Sequence, residues 1–272
     1  MKTVLDNIKK SEVKDQPFPY LYYQNAIEDD LCKRLIKEFP LMKVIAQGEF
    51  LEDNKRFSLP ASKVLISKGV SPLWKDFIKA HTTTEFWHQL VDLFEDQILS
   101  IYPNFNIDFK PLKALRIGVR NVNTFEEVDI LLDAQICINT PVLEKPSSVK
   151  ITHIDNANKL FAGLLYLRSP NDDSEGGDLE IYKYKDDKFK FHGPRLIKDK
   201  YVEMVETVPY KQNSLILFIN SLKSLHGVTN RQVTDQPRYF LNLVGEVNKN
   251  LFDLEKHNSS FRLLHQFFGF KK

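Results

Sequence analysis

The sequence predicts an α+β protein that is mainly β, a sandwich or jelly roll preceded by helices. Three observations lead there. Apolar residues recur at helical spacing through the first third of the chain, and from about Lys113 the period changes to two. The short strand-like segments that follow have no helix-length crossovers between them, which disfavours a parallel sheet. With 272 residues, 42 % of them hydrophobic, the chain is long enough to bury the core of one elaborated domain.

The first 110 residues read mainly as helix. Residues 25–30 lead into Leu31, Leu35, Ile36 and Phe39 at helical spacing, with acids in the first turn and Pro40 as the stop. A second pattern runs from Pro72 to about Tyr102 and carries Trp74, Phe77, Ile78, Phe86, Trp87, Leu90, Val91, Phe94 and Ile98. Such a stripe is the buried face of scaffold helices packed on a sheet. Strand-like segments follow at 114–119, 131–139, 161–168, 178–184, 202–208, 214–220 and 239–247, with Pro, Gly, Asn and Asp between them. Residues 251–272 space Leu254, Phe261, Leu263, Leu264, Phe267 and Phe268 as a terminal helix would. The expected layout is a helical scaffold at 1–110, a β core at 111–250 and a helical tail at 251–272, forming one integrated domain.

Charge and composition narrow the function. The 38 basic and 36 acidic side chains are interspersed and leave a formal charge of +2, so no single-sign field gathers nucleic acid or anionic lipid. Two cysteines, Cys32 and Cys137, are too few for a disulfide framework or a Cys-rich zinc site, and a reducing, cytoplasmic setting is expected. The amino terminus has no apolar core that would mark a signal peptide. The longest apolar runs, such as 215–219, fall far short of the roughly 18 residues a membrane helix needs.

The residues that carry chemistry begin with His153 and Asp155. In extended chain, positions i and i+2 project from one face, so both donors can reach one metal ion. Alone the pair says little: seven histidines in a chain with 36 acidic residues meet an acid two positions on about once by chance. His226 follows the buried-strand pattern of 214–220 and completes two histidines and a carboxylate, the facial set that suits Fe(II) and leaves positions open. Twelve residues on, Arg238 heads a strand whose alternation puts Arg238, Phe240, Asn242 and Val244 on one face. A buried arginine needs an anion, and a dicarboxylate cosubstrate supplies one through a fork-to-fork contact.

In order, His153-Ile154-Asp155, the run 161–167 with Tyr166, Gly176-Gly177-Asp178-Leu179-Glu180, His226-Gly227-Val228 and Arg238-Tyr239 resemble the landmarks of Fe(II)/2-oxoglutarate-dependent oxygenases, particularly the prolyl-4-hydroxylase-like group. The resemblance covers about residues 130–248, and Pro17-Phe18-Pro19-Tyr20 with the helix after it is similar to bacterial and phage members. It implies a double-stranded β-helix in which His153, Asp155 and His226 bind Fe(II) and Arg238 holds the distal carboxylate of 2-oxoglutarate. It further implies that Tyr166 hydrogen-bonds that carboxylate and that Asn139 lies near the other one. The activity implied is hydroxylation of an unactivated carbon, with O2 consumed and succinate and CO2 released. An intact acid at Asp155 argues against halogenation, which requires a small residue there. The substrate stays open among a peptidyl side chain, an amino acid and a small metabolite, since one fold hosts many substrates.

Other readings stand beside this one. His153 with Asp155 can be a hydrogen-bonding surface pair, and His226 a satisfied loop histidine. His81, His88, His192, His257 and His265 read as structural or exposed. Gly176-Gly177 reads as a turn requiring positive φ. Lys159, Arg168 and Asn242 read as scaffold or surface residues before substrate contacts. The rival classes are a non-catalytic jelly-roll binding module and a metal enzyme of the same fold that does not use 2-oxoglutarate.

Overall fold

The computed structural model of the chain describes residues 1–187, 189–192 and 195–254. Its strands are Tyr20–Gln24 (β1), Arg56–Leu59 (β2), Ile117–Val119 (β3), Ile130–Asn139 (β4), Lys159–Tyr166 (β5) and Leu179–Tyr184 (β6). Phe191–His192 (β7), Leu196–Ile197 (β8), Val202–Val208 (β9), Ser214–Ile219 (β10), His226–Val228 (β11) and Arg238–Val247 (β12) follow. Among the described residues the α-helices all precede β3: Asp29–Lys37 (α1), Met42–Ile45 (α2), Ala61–Val64 (α3), Pro72–Ala80 (α4), Thr84–Ile101 (α5) and Phe105–Asp108 (α6).

The larger sheet runs β1-β10-β5-β12-β4-β2, with β3 added beside β4. Pairings along that path are antiparallel, and β3 joins β4 in parallel. A smaller sheet, β11-β6-β9, packs against its inner face. The two sheets make an open jelly roll with helices on its outer side.

Alternation explains why the central strands are apolar on both faces. On β10, Leu215, Leu217 and Ile219 join Trp74, Phe77, Trp87, Leu90 and Phe94 in the core under the helices. Ile216 and Phe218 turn the other way and meet Leu179, Ile181 and Val208 of the smaller sheet. The inner cluster is the floor on which the candidate site residues stand.

Several expectations change in detail. The N-terminal third is not only helical: β1 and β2 close the two ends of the larger sheet. Each strand is five residues or fewer, too short for a period of two to stand out. The segment 114–119 is a strand only at Ile117–Val119, because a 3-10 turn occupies Leu112–Ala114. The stripe from Pro72 to Tyr102 is two helices. The Thr82 and Thr83 hydroxyls donate back to carbonyls of α4, and Thr83 Oγ1 then accepts the Phe86 N–H as the cap of α5. Ser71 and Pro72 start α4 in the expected way, with Ser71 Oγ accepting from the Trp74 N–H. The tail helix expected at 251–272 lies, past Leu254, outside the described residues.

Candidate metal centre and its cavity

His153 and His226 face each other across an isolated antiparallel bridge, each N–H donating to the other's carbonyl at 2.9 and 3.0 Å. Their ring centroids lie 4.2 Å apart. Asp155 sits two residues on in extended chain, and one ligand atom from each of the three lies within 4.8 Å of the others. No other group of three such side chains occurs among the described residues. All three are buried, at 3 %, 9 % and 7 % exposure for His153, Asp155 and His226.

The ring orientations are fixed from behind. His153 Nδ1 donates to the Ile151 carbonyl and His226 Nδ1 to the Ser224 carbonyl, both at 2.9 Å. A carbonyl only accepts, so each Nδ1 carries the proton and each Nε2 is left as a bare donor toward a metal. Burial holds the His153 imidazole well below its ordinary pKa, and His226 beside it pushes the same way. Burial lowers His226 as well, against the pull of Asp155. For Asp155, burial would raise the carboxyl, but the attraction of the Lys159 ammonium at 3.3 Å leads the effects that outweigh it and hold it below the usual carboxylate range. Two neutral imidazoles and one ionised carboxylate are the protonation states that divalent metal binding requires.

Arg238 lies deeper on the same floor, 2 % exposed. Its guanidinium carbon is 4.8 Å from the ring centre of Tyr166 and 4.9 Å from those of Tyr210 and Phe240. Among the described residues its Nε and Nη2 make no hydrogen bond, and neither does the Tyr166 hydroxyl or either amide atom of Asn139. Asn139 sits directly opposite Arg238 in the β4–β12 register. Buried polar atoms are rarely left unpaired, and a cluster of them around a cation marks a place for an anion. Burial pushes the Tyr166 phenol pKa up, with the Arg238 charge opposing.

A cavity of about 380 Å³ joins the triad to Arg238 and Asn139, while Tyr166 lies behind Arg238 and outside the lining. Arg238, Phe240, Asn242 and Val244 all line it, as strand alternation predicts, together with Asn139, Asp155 and both triad histidines. Lys159 and Asn242 belong to the lining, and Asn242 donates to Gln135 at 2.9 Å. Arg168 does not: it donates to the carbonyls of Asp172, Ser174 and Tyr210. Sequence reasoning missed Arg56, Arg120, Gln135, Lys150 and Arg195 in the lining and Tyr210 under Arg238. Gln135 was legible by alternation from Asn139; the others come from loops and from the unexpected β2. A larger cleft of about 760 Å³, bordered by Phe18, Tyr102, Leu222 and Phe252, holds no triad of metal-ligating side chains among the described residues.

No family model matches the chain, and no curated protein matches it by sequence. Solved structures do resemble it. A prolyl 4-hydroxylase from Phytophthora capsici aligns over 98 % of this chain and 72 % of its own, with 16 % identity and a TM-score of 0.53. A Pseudomonas putida prolyl-4-hydroxylase aligns over 85 % and 93 %, with 14 % identity and a TM-score of 0.42. The non-heme alpha ketoglutarate dependent carbocyclase SnoK from nogalamycin biosynthesis aligns over 91 % and 87 %, with 12 % identity and a TM-score of 0.47. Two sheets in an open jelly roll, helices behind the larger one and a cavity on its inner face: the chain shares the fold of the Phytophthora capsici prolyl 4-hydroxylase.

Proposed function

We propose that this chain is an Fe(II)- and 2-oxoglutarate-dependent dioxygenase that hydroxylates an unactivated carbon. One observation carries the reading: a buried His153, Asp155 and His226 group with both Nε2 atoms free stands in one cavity with Arg238, whose unpaired donors lie beside the unpaired Tyr166 and Asn139. His153, Asp155 and His226 would hold the metal, and Arg238 with Tyr166 would take the distal carboxylate of 2-oxoglutarate. Bound there, the iron with its cosubstrate supplies the oxidant for the C–H bond, with succinate and CO2 as coproducts.

The protein's own share is positioning. The Ile151 and Ser224 carbonyls lock the two imidazoles in the metal-binding tautomer. The aromatic walls around Arg238 keep water from competing for its guanidinium, so a carboxylate arriving there meets a desolvated partner. Asn139, beside Arg238, offers both a donor and an acceptor to the cosubstrate. The unpaired Arg238 favours this reading over a metal enzyme that uses no dicarboxylate, since that chemistry has no need of a buried cation. A peptidyl side chain, an amino acid or a small metabolite all fit the reaction. Two buried, unpaired thiols suit a reducing, cytoplasmic setting.

Anaerobic addition of Fe(II) and 2-oxoglutarate tests it. A weak charge-transfer band near about 500 nm is expected for the chelated keto acid. It should vanish in His153→Ala and Asp155→Ala, along with substrate-dependent succinate formation. Folded wild-type protein that never develops the band would sink the reading.

A further inference from the structure

We propose that the molecule oxidised in this cavity is a small one carrying an oxyanion, phosphate or carboxylate, held by Arg56, Lys150, Lys159 and Arg195. Its role as substrate rests on the oxygenase reading above; the oxyanion site itself rests on the lining of the cavity.

Six cationic side chains line the cavity, Arg56, Arg120, Lys150, Lys159, Arg195 and Arg238, against one acid, Asp155. Two of the six are accounted for. Arg120 is matched by Glu246 at 3.3 Å and Asp133 at 3.7 Å, and Arg238 has the cosubstrate's distal carboxylate. Lys159 at 3.3 Å and Arg195 at 4.0 Å share the same Asp155 oxygen. Neither Arg56 nor Lys150 has a carboxylate in ion-pair contact among the described residues; Arg56 reaches only the Cys137 sulfur and the face of Phe240. The charges of Fe(II), Asp155, a 2-oxoglutarate dianion and Arg238 cancel, so the loaded site would still present four uncompensated cations.

These cations are held in place by the elements that build the triad. Lys150 is fixed by its carbonyl, which accepts from the Val228 N–H at 3.0 Å, two residues from His226. The Arg195 carbonyl accepts from the Ile154 N–H at 3.2 Å, between His153 and Asp155. Lys159 opens β5, and Arg56 opens β2 opposite Asn139. Burial pushes the Lys150 ammonium down from its ordinary pKa, and Arg195, Arg56 and Lys159 push it further while Asp155 opposes. Lys150, Lys159 and Arg195 are half-buried and Arg56 is exposed at the rim; like charges held this close repel one another, and a bound oxyanion offsets that cost. A cavity of about 380 Å³ suits a small molecule rather than a polymer.

The test is calorimetry on the full chain loaded with Mn(II) and 2-oxoglutarate, which binds without turnover. Metal-dependent 2-oxoglutarate binding is measured first; its absence would count against the oxygenase reading, and the anion titrations would then be read on the metal-free protein. Inorganic phosphate and acetate are then titrated in separate arms that distinguish the two oxyanions, with glycerol as the neutral control. At least one anion should bind and glycerol should not. Arg56→Gln, Lys150→Gln and Arg195→Gln should each weaken the anion about tenfold, while Lys249→Gln, outside the cavity, should leave it unchanged. The proposal is overturned if neither anion binds, if the three cavity substitutions have no effect, or if the anion merely displaces 2-oxoglutarate. A single-stranded oligonucleotide that binds more tightly than phosphate, and is weakened by the same substitutions, would also overturn it.

Discussion

Arg238 is a cation with two unpaired donors at 2 % exposure, and that state opposes folding until an anion arrives. Its replacement should therefore act in opposite directions on stability and on binding. Arg238→Met is expected to leave the ligand-free melting temperature equal or higher, because it removes a desolvated charge. The same change should raise the half-saturating 2-oxoglutarate concentration about thirtyfold or more, the equivalent of about 2 kcal/mol for a lost buried charge pair. Thermal melts and 2-oxoglutarate titrations of one preparation check both halves; a large drop in melting temperature would mean that the arginine is structural. Tyr166→Phe removes a hydroxyl without a partner and should weaken 2-oxoglutarate about fivefold, near 1 kcal/mol, with little change in stability. The alternation of 238, 240, 242 and 244 made this face legible in the sequence, because strand geometry maps order directly onto sides. Tyr210 was not legible, since its place under Arg238 depends on a segment from the other sheet folding over.

At the scale of elements, the turn before β6 sets the depth of the site. Gly176 and Gly177 both have φ near +80°, as the Gly-Gly pair predicts. A Cβ on Gly176 would lie 2.0 Å from the Asn230 carbonyl oxygen, and one on Gly177 would lie 3.1 Å from the Arg238 Cδ. Asn230 cannot easily yield, because Arg231 next to it is paired with Ser147 in both directions at 2.9 and 3.1 Å. Gly176→Ala should therefore cost at least about 1–3 kcal/mol from backbone strain alone. Chemical denaturation should show a lowered midpoint; an unchanged midpoint would refute the close packing of turn on loop. Cofactor requirement and stability should both suffer in Gly177→Ala, since that Cβ presses on the Arg238 side chain itself. The element boundaries that the sequence left uncertain were those decided by capping and pairing: the α4–α5 break depends on threonine hydroxyls, and β1 and β2 exist because sheet edges were there to be extended.

For the molecule as a whole, acid stability has an identifiable source away from the cavity. His81 is fully buried at the α4–α5 junction, where Nδ1 donates to the Phe77 carbonyl and Nε2 accepts the Val4 N–H, tying the amino terminus to the helices. Burial lowers its pKa to about 4 from an ordinary 6.5. The unfolded chain then binds a proton between those values that the folded chain does not. Stability is full above pH 6.5 and is lost as pH falls toward 4, by about 3 kcal/mol in all at 1.36 kcal/mol per pKa unit. His153 and His226 act with the same sign, so the comparison that isolates His81 is wild type against His81→Gln. Urea unfolding between pH 7 and 4 should give a shallower slope for the variant; equal slopes would mean that His81 is protonated in the folded state.

The sequence by itself placed seven of the strands, the inward face of β12 and the candidates His153, Asp155, His226 and Arg238, and the resemblance to Fe(II)/2-oxoglutarate-dependent oxygenases added Tyr166 and Asn139. The strands, the β12 face and the first four candidates follow from local rules: a period of two, turn residues, and the order of donor types along the chain. Only the tertiary structure decided that one ligand atom from each of the three candidate metal-binding side chains comes within 4.8 Å of the others, that carbonyls fix the two histidine tautomers, and that two Arg238 donors make no hydrogen bond among the described residues. It also brought Arg56, Lys150, Lys159 and Arg195 to the same cavity. Convergence of residues from distant loops and an edge strand is set by how the two sheets pack, and packing is a property of the whole chain that no local pattern encodes.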